Sequence, residues 1–130
     1  MDKKVNVLIA EDDRIISMDL TKSLSHLGYN VFEPVSDGME IINMTLTLKP
    51  DIILMDIKLM GKIDGIDVAK TIHLNKNIPI IFITAYGTEK AFKKVKQINF
   101  YKIIQKPYNI KEVDKAIREA LNLNGKVVSL

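Results

Sequence analysis

The chain contains no cysteine among its 130 residues. That absence rules out disulfides, thiolate metal sites and cysteine nucleophiles, so any metal or covalent chemistry has to use oxygen or nitrogen groups. Histidine is scarce as well. His26 and His73 fall on separate expected helices without a ligand-spaced partner, which argues against zinc. Long apolar runs are missing: Ile80 to Ile83 is far short of the roughly 20 residues a membrane-spanning helix needs. No charged-then-apolar leader opens the chain. These absences point to a soluble cytoplasmic protein without a membrane partner. Arginine occurs twice, so the net charge of +3 comes from lysines, many of them in the last third: Lys90, Lys93, Lys94, Lys96, Lys102, Lys106, Lys111 and Lys115. With no DNA-reading motif beside them, solvated lysines or an acidic protein partner are expected, and nucleic acid is not expected as a direct partner.

What is present is enough for one domain. At 47% hydrophobic, the chain can bury a single core. Short branched apolar runs, Val5 to Ala10, Asn30 to Val35, Asp51 to Met55, Ile78 to Ile83 and Phe100 to Gln105, read as five strands. Helical spacing separates them. Ile16, Leu20, Leu24 and Leu27 form one apolar stripe that stops at Gly28, a C-terminal cap. Met39 to Leu48, then Val68, Ala69 and Ile72, then Ala91, Phe92 and Val95 mark three more helices. The last, with Ile110, Val113, Ile117 and Leu121, is expected to be capped by Asn109. Strand and helix in alternation predict an α/β fold with a parallel sheet. Residues 1–122 form the expected domain, and 123–130 a C-terminal tail.

Polar residues follow these apolar strands at four places: Glu11, Asp12 and Asp13 after the first, Asp56 after the third, Thr84 after the fourth and Lys106 after the fifth. A parallel sheet brings all its C-terminal strand ends to one edge, where open α/β folds bind ligands, so these groups should converge. Carboxylates brought together repel unless a pKa rises or a cation neutralises them, and oxygen-only ligands favour magnesium, with manganese as an alternative. A lysine and a hydroxyl beside such a site complete what phosphoryl transfer needs, with a carboxylate as nucleophile. Asp13 is the exception, expected to cap the helix that follows rather than to bind.

The segments Val7-Leu-Ile-Ala-Glu-Asp-Asp13, Pro50-Asp-Ile-Ile-Leu-Met-Asp56, Ile83-Thr-Ala-Tyr86 and Lys106-Pro-Tyr108, in this order and spacing, resemble the signature segments of response-regulator receiver domains, the CheY-like family of two-component signalling. The resemblance covers nearly the whole chain. It implies a flavodoxin-like, doubly wound sheet with strand order 2-1-3-4-5 and five helices. It further implies that Asp56 accepts a phosphoryl group from the phosphohistidine of a sensor histidine kinase or phosphotransfer protein. Glu11, Asp12, Asp56 and the backbone carbonyl of Lys58 would hold magnesium, Lys106 would contact the phosphoryl group, and Thr84 would turn its hydroxyl toward it. The Lys106–Pro107 bond resembles the family's cis peptide. Such a domain is a switch rather than an enzyme, catalysing only its own phosphoryl transfer and dephosphorylation. It acts on a downstream partner, or on a second copy, through the face of the fourth helix, fifth strand and fifth helix.

Three departures stand out. Ile103 occupies the place of the family's usual switch aromatic, leaving Tyr101, Tyr108 or the Tyr86 loop as alternative couplings. The loop Lys58-Leu-Met-Gly-Lys-Ile-Asp-Gly65 lacks the proline common after the phosphorylated aspartate and is one residue longer than the common form. Bulky Lys58 and Tyr86 would flank the path of the hydrolytic water, which implies slow loss of the phosphoryl group. Two other functions share the fold. A phosphorylation-independent docking scaffold would have lost Asp56, the acidic pair or Lys106, and none is lost; a small magnesium-dependent phosphatase would need a second general base, and both histidines lie elsewhere.

Overall fold

The computed structural model describes residues 4–74 and 76–123. Strands and helices alternate along it: β1 (Asn6–Ala10), α1 (Arg14–His26), β2 (Asn30–Val31), α2 (Gly38–Leu48), β3 (Ile52–Met55), α3 (Gly65–His73), β4 (Ile80–Thr84), α4 (Thr88–Val95), β5 (Lys102–Gln105) and α5 (Ile110–Leu123). The strands form one sheet ordered β2-β1-β3-β4-β5. All pairings are parallel, with Val7 between Val31 and Ile52, and Leu54 opposite Ile81. This is the doubly wound architecture expected from the sequence.

Period-two alternation divides the core. Val7, Ile9, Ile52, Leu54, Ile81, Ile83 and Ile104 face α1 and α5, meeting Leu20, Leu24, Val113 and Ile117. Leu8, Ala10, Ile53, Met55, Ile80 and Phe82 face the other way, onto Ile41, Val68, Ile72, Ala91 and Val95 of α2, α3 and α4. Because helices cover both faces, the central strands carry no solvent side and read as unbroken apolar runs.

Helix ends follow their local chemistry. Gly28 adopts φ +100° just past α1, the left-handed conformation that favours glycine. Asp37 accepts from the amides of Met39 and Glu40 at the start of α2, Asp64 and Asp67 form a capping box at α3, and the Asn109 side chain accepts from Lys111 N–H at α5. The second strand is shorter than the expected Asn30 to Val35. It pairs only at Asn30 and Val31, and contact resumes as a single bridge between Val35 and Ala10. Pro34 lies in the gap and has no N–H to donate, a break that an edge strand tolerates. Residues 124–130 of the expected tail lie outside the described residues.

Candidate functional site

The order β2-β1-β3 reverses the direction of winding at β1, so the crevice beyond the C-terminal ends of β1 and β3 is the topological switch point. Glu11 and Asp12 follow β1, and Asp56 follows β3. The Asp56 amide donates to Ala10 carbonyl at 2.9 Å, which sets the two strand ends side by side. Thr84 is the final residue of β4, one position inside the strand rather than beyond it, and Lys106 follows β5, its amide bonded to Thr84 carbonyl at 2.7 Å. Backbone pairing therefore delivers all five side chains to one edge, as the pattern of polar strand ends predicts. The Lys106–Pro107 peptide is cis.

Glu11 and Asp56 meet at Lys106. Its Nζ lies 2.6 Å from Glu11 Oε1 and 2.9 Å from Asp56 Oδ2. Glu11 and Asp56 are buried while Asp12 is exposed, and one carboxylate oxygen from each of the three lies within 4.8 Å of the others. Burial pushes the Glu11 carboxyl up to about 7, against the hydrogen bond from Lys106 and with the charge of Asp56 adding to the rise. For Lys106, burial disfavours the charged ammonium, but hydrogen bonds and charges from Glu11 and Asp56 outweigh it and hold the group above its usual value.

A cleft of about 260 Å³ adjoins the trio, lined by Asp12, Asp56, Lys58, Thr84, Ala85 and Tyr86. The Lys58 amide donates to Asp56 Oδ1 at 3.3 Å, and Tyr86 N–H donates to Thr84 Oγ1 at 3.2 Å. The donor set suits a hard cation, since it consists of oxygens whose mutual repulsion such an ion would relieve. Asp13 plays the other role expected of it: its side chain accepts from the amides of Ile15 and Ile16 as the cap of α1. His73 Nε2 sits 3.0 Å from Ile78 carbonyl oxygen, remote in sequence and structure from the acidic trio.

Several contacts in the fold have no clear signal in the sequence. Met60 N–H donates to Ser36 carbonyl at 3.2 Å, and Asp37 forms an isolated bridge with Met60, which ties the long loop after Asp56 to the start of α2. Gly61 makes this approach possible with φ +93°, and a Cβ there would stand 2.9 Å from Asp37 Oδ2. A glycine in a loop is a turn signal, but it does not name the partner of the turn. Tyr108 O–H donates to Asp19 on α1, and Tyr101 O–H to Glu119 on α5 at 2.9 Å.

Two predictions follow from the electrostatics and the cap. In the absence of divalent cations, Glu11 holds a proton in the folded chain up to about 7 but only up to its ordinary 4.5 when unfolded. Between those values the folded state binds more protons, so this carboxyl lowers stability as pH rises, by an amount on the order of 3 kcal/mol across the window. Urea denaturation at several pH values should show wild type losing stability relative to Glu11→Gln over that interval; parallel curves for the two proteins would contradict it. Asp13→Ala, which removes the α1 cap, should lower stability by about 1 kcal/mol, as read by urea denaturation; an unchanged midpoint would contradict it.

Comparison with known proteins gives a consistent picture. The model of the response regulator receiver domain family matches residues 7–118. The transcriptional regulatory protein PdtaR of Mycobacterium tuberculosis is 34% identical over 95% of this chain and 63% of its own length, so the chain spans less than two thirds of that relative. The chemotaxis protein CheY of Treponema pallidum is 30% identical, with 88% of this chain and 81% of that protein covered. Among solved structures, the signal receiver domain of a modulated diguanylate cyclase from Desulfovibrio desulfuricans superposes with a TM-score of 0.87 at 32% identity, covering 95% of this chain and 98% of that one.

Proposed function

We propose, from the premise that the chain belongs to the response regulator receiver domain family of two-component systems, that Asp56 is its phosphoacceptor and that phosphorylation switches partner binding. The observation that carries this is the position of Lys106 Nζ, 2.6 Å from Glu11 and 2.9 Å from Asp56 at the open end of the sheet. A cation placed there can neutralise charge on an incoming phosphoryl group, which is most of what this transfer demands of a protein. Glu11, Asp12, Asp56 and the Lys58 carbonyl would hold magnesium, which supplies further charge neutralisation when bound. Asp56 offers the attacking carboxylate oxygen, and bonds to Lys106 and to the Lys58 amide orient it. Thr84 supplies a hydroxyl at the rim of the same cleft.

The donor in this reading is the phosphohistidine of a sensor kinase or phosphotransfer protein, and the receiver unit spans residues 1–122, in the cytoplasm. Among the described residues no helix is long and apolar enough to cross a membrane. Output runs through the face of α4, β5 and α5 to a protein partner or a second copy. The family is not one of conventional enzymes, and the chain would catalyse only the gain and loss of its own phosphoryl group. Incubation with magnesium and acetyl phosphate, followed by intact mass measurement, tests the reading: one labile phosphoryl adduct that fails to form without the metal supports it. Sustained turnover of added phosphoesters would favour a phosphatase, and no adduct would favour a docking scaffold. Since Lys58 lines the cleft beside Asp56, Lys58→Ala should shorten the adduct's lifetime several-fold by admitting water; an unchanged decay rate would count against that role.

A further inference from the structure

With Ile103 in place of the usual ring, some other group has to carry a change at Asp56 to the surface. Ile103 is partly buried against the core that contains Phe82. Tyr101 is held by Glu119 and Tyr108 by Asp19, both rings packed on the α1 and α5 side. Tyr86 is placed differently. Its amide is bonded to the Thr84 hydroxyl at 3.2 Å, and its ring packs on the opposite core. The Nζ atoms of Lys90 and Lys94 stand 4.9 Å and 5.2 Å from the centre of that ring. One residue thus touches both a hydroxyl at the site and two cations on α4.

That helix is strongly one-signed on its exposed face. Lys90, Lys93, Lys94 and Lys96 accompany a single acid, Glu89, whose pairing with Lys93 at 3.9 Å is exposed to solvent and weak on that account.

We propose that Tyr86 is the readout of the site and that the surface it controls is the lysine face of α4, which takes an acidic segment of a partner protein. The inference rests on the reading of Asp56 as phosphoacceptor. Phosphoryl oxygens offer the Thr84 hydroxyl a strong acceptor, and rotating its side chain to the next staggered position carries Oγ1 away from the Tyr86 amide. The Ala85–Gly87 segment then shifts; on the side where a Cβ of residue 87 would stand, nothing lies within 4 Å to oppose it. As the ring leaves its place, the cation–π contacts break and two ammonium groups become available to carboxylates of the partner.

NMR of the full chain, titrated with magnesium and beryllium fluoride as a phosphoryl mimic, provides the test. Signals of Lys90 and Lys94 should shift together with that of Asp56 in wild type and in Tyr86→Phe, which keeps the ring. In Tyr86→Leu the Asp56 shift should remain and both lysine shifts should vanish. A glutamate-rich peptide should bind several-fold more tightly to the loaded protein than to the free one, a gain absent from Lys90→Gln/Lys94→Gln. Lysine shifts that persist in Tyr86→Leu would overturn the role of the ring. Equal peptide affinity in both states, or tighter binding to duplex DNA than to the peptide, would overturn the partner class. If Asp56 itself does not respond, the phosphoacceptor reading fails and this inference fails with it.

Discussion

Asp56→Asn should abolish the phosphoryl adduct expected of wild type with acetyl phosphate and magnesium, while the protein stays folded. Asparagine matches aspartate in shape, so the packing at the end of β3 survives, but its amide has no carboxylate oxygen with which to attack phosphorus. The substitution also removes one of two negative charges from Lys106 Nζ and leaves the 2.6 Å contact with Glu11 in place. Because the charge of Asp56 helps to raise the Glu11 carboxyl, that group should fall back toward its ordinary range. Stability near neutral pH should therefore be equal to wild type or higher, even as chemistry is lost. Intact mass after incubation, beside a urea denaturation curve, separates these effects. An adduct that persists in Asp56→Asn would move the acceptor to Glu11 or Asp12 and refute the assignment.

Gly65→Ala should be severely destabilising and should also disable the site, although residue 65 carries no functional group. A Cβ built there lies 2.2 Å from the backbone oxygen of Asp56 and 3.1 Å from Ile57 Cα. Backbone cannot yield as a flexible side-chain tip can, so either α3 or the end of β3 has to move. The Gly65 amide already bonds Ile57 carbonyl at 2.7 Å, which fixes the helix start against that strand end. A loss of about 3 kcal/mol is expected from overpacking of this kind. Displacing Asp56 by even a fraction of an ångström disturbs its contact with Lys106, so phosphoryl uptake should slow in molecules that remain folded. Gly87→Ala is the control, since a Cβ there meets nothing within 4 Å and should change stability little. Denaturation midpoints and uptake rates for both variants decide the matter; equal effects would sink the steric argument.

Much of this architecture can be read directly from the residues, and for identifiable reasons. The strands from Ile52 to Met55 and Ile80 to Thr84 are apolar throughout because helices cover both their faces. The polar groups at their ends then had to share one edge, since parallel strands all point the same way. Where the reading failed, it failed for local reasons. The second strand stops early, where Pro34 removes a donor on an edge. Thr84 lies inside β4 because pairing with Gln105 extends the ladder by one residue.

The order of the residues alone is enough to say which polar groups reach the C-terminal edge of the sheet, because carboxylates, a lysine and a hydroxyl at strand ends keep their order whatever the loops do. How those groups pair and what the tyrosines touch depend on packing between segments distant in the chain. Lys106 is 50 residues from Asp56, Tyr108 is 89 from Asp19 and Tyr101 is 18 from Glu119. No local pattern encodes contacts at such separations; they arise when the two cores close on either side of the sheet. Hydrogen bonds, ring packing and charge depend on distances of a few ångströms, and those distances are set by the packed chain rather than by the order of its residues.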